Sequence, residues 1–162
     1  MTLVARLGLR SIEVARLQLQ DVDWRAGELV IHGRGHRHDR LPLPAEVGEA
    51  LVAYLSSGRS PDRGSPDRDR HLFLTCRAPR GPIRADLVGD VVKRACASAG
   101  LPRVGPHRLR HALAGELLRR GAGLAAISQV LRHRDLATTA LYAKVDLDAL
   151  RQVAQPWPGA AR

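Results

Sequence analysis

Lysine is almost missing from this chain of 162 residues: of its 26 Lys and Arg side chains, only Lys93 and Lys144 are lysines. Acidic residues number 16, so the formal net charge is +10. Aromatic residues make up 3% of the chain, and a core of Leu, Val and Ala is therefore expected. A basic excess of this size favours a polyanionic partner, and nucleic acid over a membrane surface.

Cysteines and long apolar runs are also scarce. Cys76 and Cys96 show neither C-x-x-C spacing nor a disulfide framework, so we expect a reducing, cytoplasmic environment and interpret both as small core residues. No apolar run approaches the roughly 20 residues of a membrane span, and no signal-peptide pattern opens the chain. There is no acidic cluster of the kind that holds a metal, and neither a metal nor another cofactor is expected.

Hydrophobic periodicity predicts a mostly helical chain with one small antiparallel unit, which is an α+β fold in a single domain. Two strands, Glu28–His32 and residues 39–43, are predicted to form a hairpin with a basic tip at residues 34–40. A short strand is predicted at 71–75, a surface loop at 56–70 and a C-terminal tail at 155–162. Helices are predicted over residues 45–55, 83–99, 106–120, 124–131 and 146–153. The first of these is predicted to bury Val47, Leu51, Val52 and Leu55, and the second Leu87, Val91, Val92 and Ala95.

The first nine residues are interpreted as the end of a helix that stops at Gly8. Ser11 is predicted to cap the next helix, which would bury Ile12, Ala15 and Leu17, together with Leu19.

The most informative stretch runs from Pro106 to His111. Pro106 suits the first turn of a helix, and the i, i+3, i+4 spacing of His107, Arg110 and His111 predicts that they share one face. The buried stripe of the same helix is predicted to contain Leu109, Ala112, Leu113 and Leu117. Imidazole and guanidinium donors on one face suit an anion, and a phosphate accepts two hydrogen bonds from one guanidinium.

Downstream, His133 and Tyr142 add a further imidazole and a phenol. A phenol is a weak nucleophile at its free pKa of about 10, so it needs positioning and a proton acceptor. Its attack on a phosphodiester would give a phosphotyrosine and conserve the bond energy for re-ligation. Two guanidiniums would stabilise the charge that develops on the phosphoryl oxygens, and no metal would be required.

These residues resemble the catalytic domain of the tyrosine recombinases, the phage-integrase family. Four segments match in order and spacing and together cover nearly the whole chain. They are residues 8–13, residues 33–43, residues 107–111, and Leu131-Arg132-His133 with Asp135, Thr138, Thr139 and Tyr142.

The resemblance implies a DNA recombinase or integrase that works through a 3′-phosphotyrosine. Arg10 and Arg110 would bind the scissile phosphate, His107 would assist proton transfer, His133 would contact the phosphate, and Tyr142 would be the nucleophile. Glu13 and His111 would support them. Contacts to the DNA backbone are predicted for Arg37, Arg40, Arg108 and Arg132. Double-stranded DNA would be the partner, without a membrane or small-molecule substrate, and the helix at 146–153 would join four copies into a tetramer.

The chain also departs from the family pattern. Arg34 occupies the position of the lysine that protonates the leaving oxygen, and an arginine donates a proton poorly, so His36 or His38 is a candidate substitute. Arg132 stands where glycine is usual. The N-terminal DNA-clamping domain is expected to be absent, which makes the chain a truncated catalytic domain. Two alternatives remain: a DNA-binding remnant without efficient catalysis, and a basic non-catalytic regulator with an unrelated fold.

Overall fold

A computed structural model of the chain describes residues 1–33, 38–59, 70–76 and 81–132. The chain divides into two compact units, the first ending at Arg110 and the second beginning at His111. Several predictions lie outside the described residues. They concern Arg34, His36, Arg37, His133, Tyr142, the helix at 146–153, the tail at 155–162 and most of the loop at 56–70.

The first unit contains most of the helices and strands among the described residues. Its helices are α1 (Thr2–Leu7), α2 (Ser11–Arg16), α3 (Ala45–Ala53) and α4 (Ala85–Ser98), and α5 (Pro106–Arg119) begins in it. Its strands are β1 (Val22–Asp23), β2 (Glu28–His32) and β3 (His38–Pro42). A 3₁₀ turn, Leu19–Asp21, precedes β1, and a π-helical turn, Tyr54–Gly58, follows α3. The predicted α+β fold is confirmed.

The three strands form an antiparallel sheet in the order β1-β2-β3. Leu29 and Ile31 are fully buried while Val30 between them is not, which is the period-two alternation expected of a sheet with one face on a core. The predicted hairpin is confirmed, although β3 begins one residue earlier than expected. The two-residue strand β1 was not predicted because it is too short to show a period.

Helix α1 ends where predicted. Gly8 has φ 59°, a left-handed conformation that glycine adopts without steric cost, and the N–H of Leu9 donates to the Leu3 carbonyl over 3.2 Å. Leu3, Val4 and Leu7 are buried.

The prediction for α2 was wrong in two respects. Its N-cap is Arg10 rather than Ser11, and Glu13 Oε2 accepts the Arg10 N–H over 2.7 Å. Its buried residues are Glu13, Val14 and Ala15, whereas Ile12 is exposed. The helix ends at Arg16, so a helical period cannot be extended to positions 17 and 19; Leu17 is buried, but Leu19 is exposed.

Four further predictions need correction. Helix α3 stops at Ala53, and residues 54–58 continue it as a π-helical turn, with Val52 exposed. Residues 71–75 form no strand; they contribute to two isolated bridges, Gln18 with His71 and Leu74 with Pro82. Helix α4 buries Val88, Val92 and Cys96 at i, i+4 and i+8, and Val91 is exposed. Cys76, expected in the core, is exposed.

In the second unit, α5 is followed by α6 (Leu124–Leu131), at the bounds predicted for it. Ala114, Ile127 and Leu131 are fully buried, and Leu113 and Leu117 pack against them. Ala112, predicted to be buried, is exposed. On the surface of α5, a hydrogen bond from Arg120 and the charge of Arg119 lower the pKa of Glu116. No helix among the described residues is long and apolar enough to cross a membrane.

Candidate active site

Arg110 is a buried cation on helix α5, with 5% of its surface exposed. Its Nη1 donates to the carbonyl oxygen of Gly8, the left-handed residue that ends α1. Its neighbour Leu109 packs against the hydrophobic core of the first unit. The contact with Gly8 joins residues 102 positions apart, so it holds the guanidinium in place by tertiary structure rather than by local sequence.

Arg10 lies two residues beyond Gly8 and begins helix α2. Its Nη1 is 2.8 Å from Glu13 Oε1, and the same carboxylate accepts the backbone N–H of Arg10 through Oε2. The Glu13 side chain is buried, whereas 38% of the Arg10 side chain is exposed. Glu13 therefore fixes both the start of the helix and the direction of the Arg10 side chain.

The two arginines lie on one pocket of about 270 Å³. The residues that line it come from the start of α2, the start of α4 and the start of α5: Leu9, Arg10, Ser11, Ile12, Ala85, Pro106, His107 and Arg110. Gly89 of α4 faces Pro106, because a Cβ built on it would lie 3.8 Å from Pro106 Cδ. Two guanidiniums and one imidazole on an otherwise mostly apolar lining suit a single bound anion.

The polar residues at the start of helix α5 differ in their exposure to solvent. Arg110 is buried, while His107, Arg108 and His111 are exposed. His107 lines the pocket with Arg10 and Arg110, and it is therefore placed to contact whatever the two arginines bind. His111 belongs to the second unit.

The hairpin contains a polar cluster of Asp21, His32 and His38, of which only His38 was a candidate from the sequence. His32, the last residue of β2, has its Nε2 2.7 Å from Oδ1 of the buried Asp21. Its ring meets the ring of His38 edge-to-face, with centroids 4.7 Å apart. Only the strand register could have suggested this cluster, because it makes His32 and His38 direct partners. Arg40, predicted to bind DNA, forms an exposed ion pair with Glu28 across the same two strands at 2.9 Å.

Arg132, the last described residue, ends helix α6 in a left-handed conformation with φ 52° and ψ 48°. It is the only non-glycine with positive φ among the described residues. This conformation explains why a glycine would suit the position. Within residues 1–33, 38–59, 70–76 and 81–132, no three His, Cys, Asp or Glu side chains form a group that could hold a metal.

Comparison with known proteins identifies the family. The model of the phage integrase family matches residues 1–148. The chain is 49% identical over 162 residues to y4rA, a predicted integrase/recombinase of Sinorhizobium fredii, and the match covers 98% of this chain and 38% of y4rA. The chain belongs to the phage integrase family.

Solved structures of recombinases share its fold. The crystal structure of XerA recombinase matches with a TM-score of 0.78 and 27% identity, covering 94% of this chain and 54% of XerA. The XerH site-specific recombinase, bound to its palindromic difH substrate in a post-cleavage complex, matches with a TM-score of 0.74 and 26% identity over 96% of this chain and 43% of XerH. The chain thus spans about half the length of these proteins, or less.

Proposed function

We propose that the chain is the catalytic part of a site-specific DNA recombinase, which cleaves and rejoins DNA strands through a 3′-phosphotyrosine at Tyr142. The observation that carries the proposal is the pocket that holds Arg10, His107 and Arg110 together. The proposal is supported by the family to which the chain belongs and by the DNA-bound structure of XerH.

The arrangement of the arginines suits a phosphodiester in its transition state. Such a transition state carries more negative charge on the non-bridging oxygens than the ground state does, so donors fixed in advance stabilise it selectively. Arg110 is held by the Gly8 carbonyl and Arg10 by Glu13, which lowers the entropy lost when they engage a phosphate. Each guanidinium still offers several N–H donors, since arginine has five.

In the proposed reaction, the phenolic oxygen of Tyr142 forms a bond to phosphorus and the bond from phosphorus to the 5′ oxygen breaks. The phenolic proton passes to His107 or to a water molecule, and His133 donates to a phosphoryl oxygen. The 5′ oxygen takes up one proton and leaves as a hydroxyl, with Arg34 or a histidine of the hairpin tip assisting. Attack by a 5′-hydroxyl on the phosphotyrosine reverses these steps and rejoins a strand.

The proposed partner is double-stranded DNA of a mobile element, acted on in the cytoplasm. A net charge of +10 supports a polyanionic partner. The proposed assembly on DNA is a homotetramer joined by residues 146–153.

A suicide substrate with a nick beside the cleavage site tests the proposal. Cleavage releases a short fragment, so the covalent protein–DNA adduct accumulates and is read on a denaturing gel. The chain has two tyrosines, and this provides a matched control. Tyr142→Phe should abolish the adduct. Tyr54→Phe, which removes a hydroxyl that accepts the Leu74 N–H over 3.2 Å, should keep it.

An adduct that survives Tyr142→Phe would exclude this nucleophile. If neither ordinary DNA nor DNA with a 5′-bridging phosphorothiolate gave an adduct, and salt-sensitive DNA binding persisted, the chain would be a DNA-binding remnant instead. The phosphorothiolate substrate bypasses the need for a general acid, because its thiolate leaves without being protonated.

A further inference from the structure

His32 and His38 form the cross-strand pair at which the β2–β3 hairpin opens into its tip. Residues 38–40 of the predicted tip belong to β3, so the tip is the five residues 33–37 between the two histidines. It includes Arg34, two positions after His32. Any displacement of His32 or His38 therefore moves the points where the tip leaves the sheet. The edge-to-face contact of their rings, with an interplanar angle of 88°, ties these two points to each other.

Asp21 ties the same pair to the body of the first unit. Its carboxylate is 3% exposed, and a buried carboxylate requires partners for both oxygens. Oδ2 accepts the backbone N–H of Gln18 over 2.8 Å, and Oδ1 lies 2.7 Å from His32 Nε2. With the carboxylate ionised, Nε2 carries the proton and donates it, because a carboxylate can only accept.

The segment that contains Asp21 is itself anchored by backbone hydrogen bonds. Leu19 N–H donates to the Arg70 carbonyl over 2.8 Å, and the Leu72 N–H donates to the Leu17 carbonyl over 2.8 Å. The chain thus places a fixed, buried acid beneath the last residue of β2. Through Oδ2 the same carboxylate caps the 3₁₀ turn, so one buried acid links that turn to the end of β2.

We propose that Asp21, His32 and His38 form a clasp that positions the hairpin tip, and Arg34 in it, for the departure of the 5′ oxygen. The inference rests on the proposed function. His32 and Asp21 are positioning residues: they act through the tip rather than by contact with DNA.

Three substitutions separate the contacts of the clasp. His32→Phe keeps an aromatic ring beside His38 but removes the donor to Asp21. His32→Gln keeps a donor near the position of Nε2 but loses the ring. Glu28→Gln removes the exposed ion pair with Arg40 at the opposite end of the same two strands and serves as the matched control.

The readout is the rate of adduct formation with two substrates, ordinary DNA and DNA with a 5′-bridging phosphorothiolate. A misplacement of about 1 Å can cost about 10²-fold in rate, so His32→Phe should slow cleavage of ordinary DNA by at least about tenfold. Its rate with the phosphorothiolate should stay within about threefold of wild type, because that leaving group needs little assistance. His32→Gln should recover much of the loss, and Glu28→Gln should cleave both substrates at the wild-type rate.

Equal losses with both substrates would overturn the inference, since they would indicate a general structural defect. Wild-type rates for His32→Phe on ordinary DNA would also overturn it. In both cases the proposed function would stand, because wild type and Tyr54→Phe would still form the adduct. Failure of wild type itself to form an adduct with either substrate would overturn the proposed function, and the inference with it.

Discussion

In the proposed function, the side chain of Arg110 serves both the fold and the chemistry. A guanidinium that is 5% exposed would be costly without partners, and the Gly8 carbonyl accepts one of its N–H groups. That contact also fixes the orientation of the remaining donors. Lysine could satisfy Gly8 or a phosphate, but its single ammonium is poorly shaped to do both with the same geometry.

Arg110→Lys should therefore fold but react slowly. We expect its single-turnover rate of adduct formation to fall by about 10²–10³, the loss typical of one preorganised donor. Arg108→Gln, on the exposed surface of the same helix, is the control. It should keep the rate at saturating DNA, weaken binding, and reduce the slope of log affinity against log salt by about 1. A rate for Arg110→Lys within about threefold of wild type would argue against a role at the transition state.

Part of the candidate site could be predicted from the sequence, and the physical reason is spacing. His107 and Arg110 are one helical turn apart, so their presence on one pocket follows from the helix alone. Arg10 was assigned to the site only through the family resemblance, because no local sequence pattern connects it with α5. The contact between Asp21 and His32 could not be predicted, since it depends on how a 3₁₀ turn packs beneath the end of a strand.

At the scale of elements, prediction succeeded where a segment was long or clearly alternating. Helix α6 and strand β2 have the predicted bounds. Prediction failed where an element is short or has more apolar residues than one face can bury. In α2 only six residues are helical, and in α4 both Val91 and Val92 could face inward, although only Val92 does.

The end of α6 offers a test of backbone strain. A non-glycine in the left-handed region costs about 1–3 kcal/mol, while glycine adds roughly 0.5–1 kcal/mol of entropy to the unfolded chain. Arg132→Gly should therefore raise the free energy of unfolding by up to about 1 kcal/mol, measured by urea denaturation. Gln129→Gly, on the exposed face of α6, should lower it by about 0.5–1 kcal/mol.

If Arg132→Gly lowered the free energy of unfolding as much as Gln129→Gly does, backbone strain at Arg132 would not be the dominant effect. The hydrogen bond from Arg132 Nη1 to the Val130 carbonyl, at 3.2 Å, and the other contacts of the side chain would then outweigh the strain.

At the scale of the whole molecule, the dominant property is the excess of 26 basic over 16 acidic side chains. Many of the acids are already engaged in ion pairs with arginines, among them Glu13, Glu28, Glu46 and Glu116. Among the described residues, several arginines outside the pocket are exposed, including Arg16, Arg25, Arg103 and Arg108. Such a distribution favours binding to DNA irrespective of its sequence.

Binding to duplex DNA should accordingly depend steeply on salt. Each phosphate neutralised contributes about −0.9 to the slope of log affinity against log salt, so six contacts would cost roughly 10³ in affinity between about 50 and 200 mM salt. Fluorescence anisotropy with a labelled duplex measures the slope. A duplex with methylphosphonate linkages, which lack the charge, should bind weakly and with little salt dependence. Salt-independent binding to ordinary DNA would contradict the proposed partner.

The stretch from Gly8 to Arg10 helps to position both arginines. The Gly8 carbonyl accepts a hydrogen bond from Arg110, and Arg10 is itself the last residue of the stretch. Duplication of one residue in this stretch would rotate the start of α2, which carries Arg10, relative to the Gly8 carbonyl that Arg110 contacts. Neither arginine would need to change for the pair to be lost. We therefore expect this stretch to tolerate insertions poorly. A one-residue insertion that a surface turn such as 24–27 could accommodate would here separate the two arginines of the proposed phosphate site.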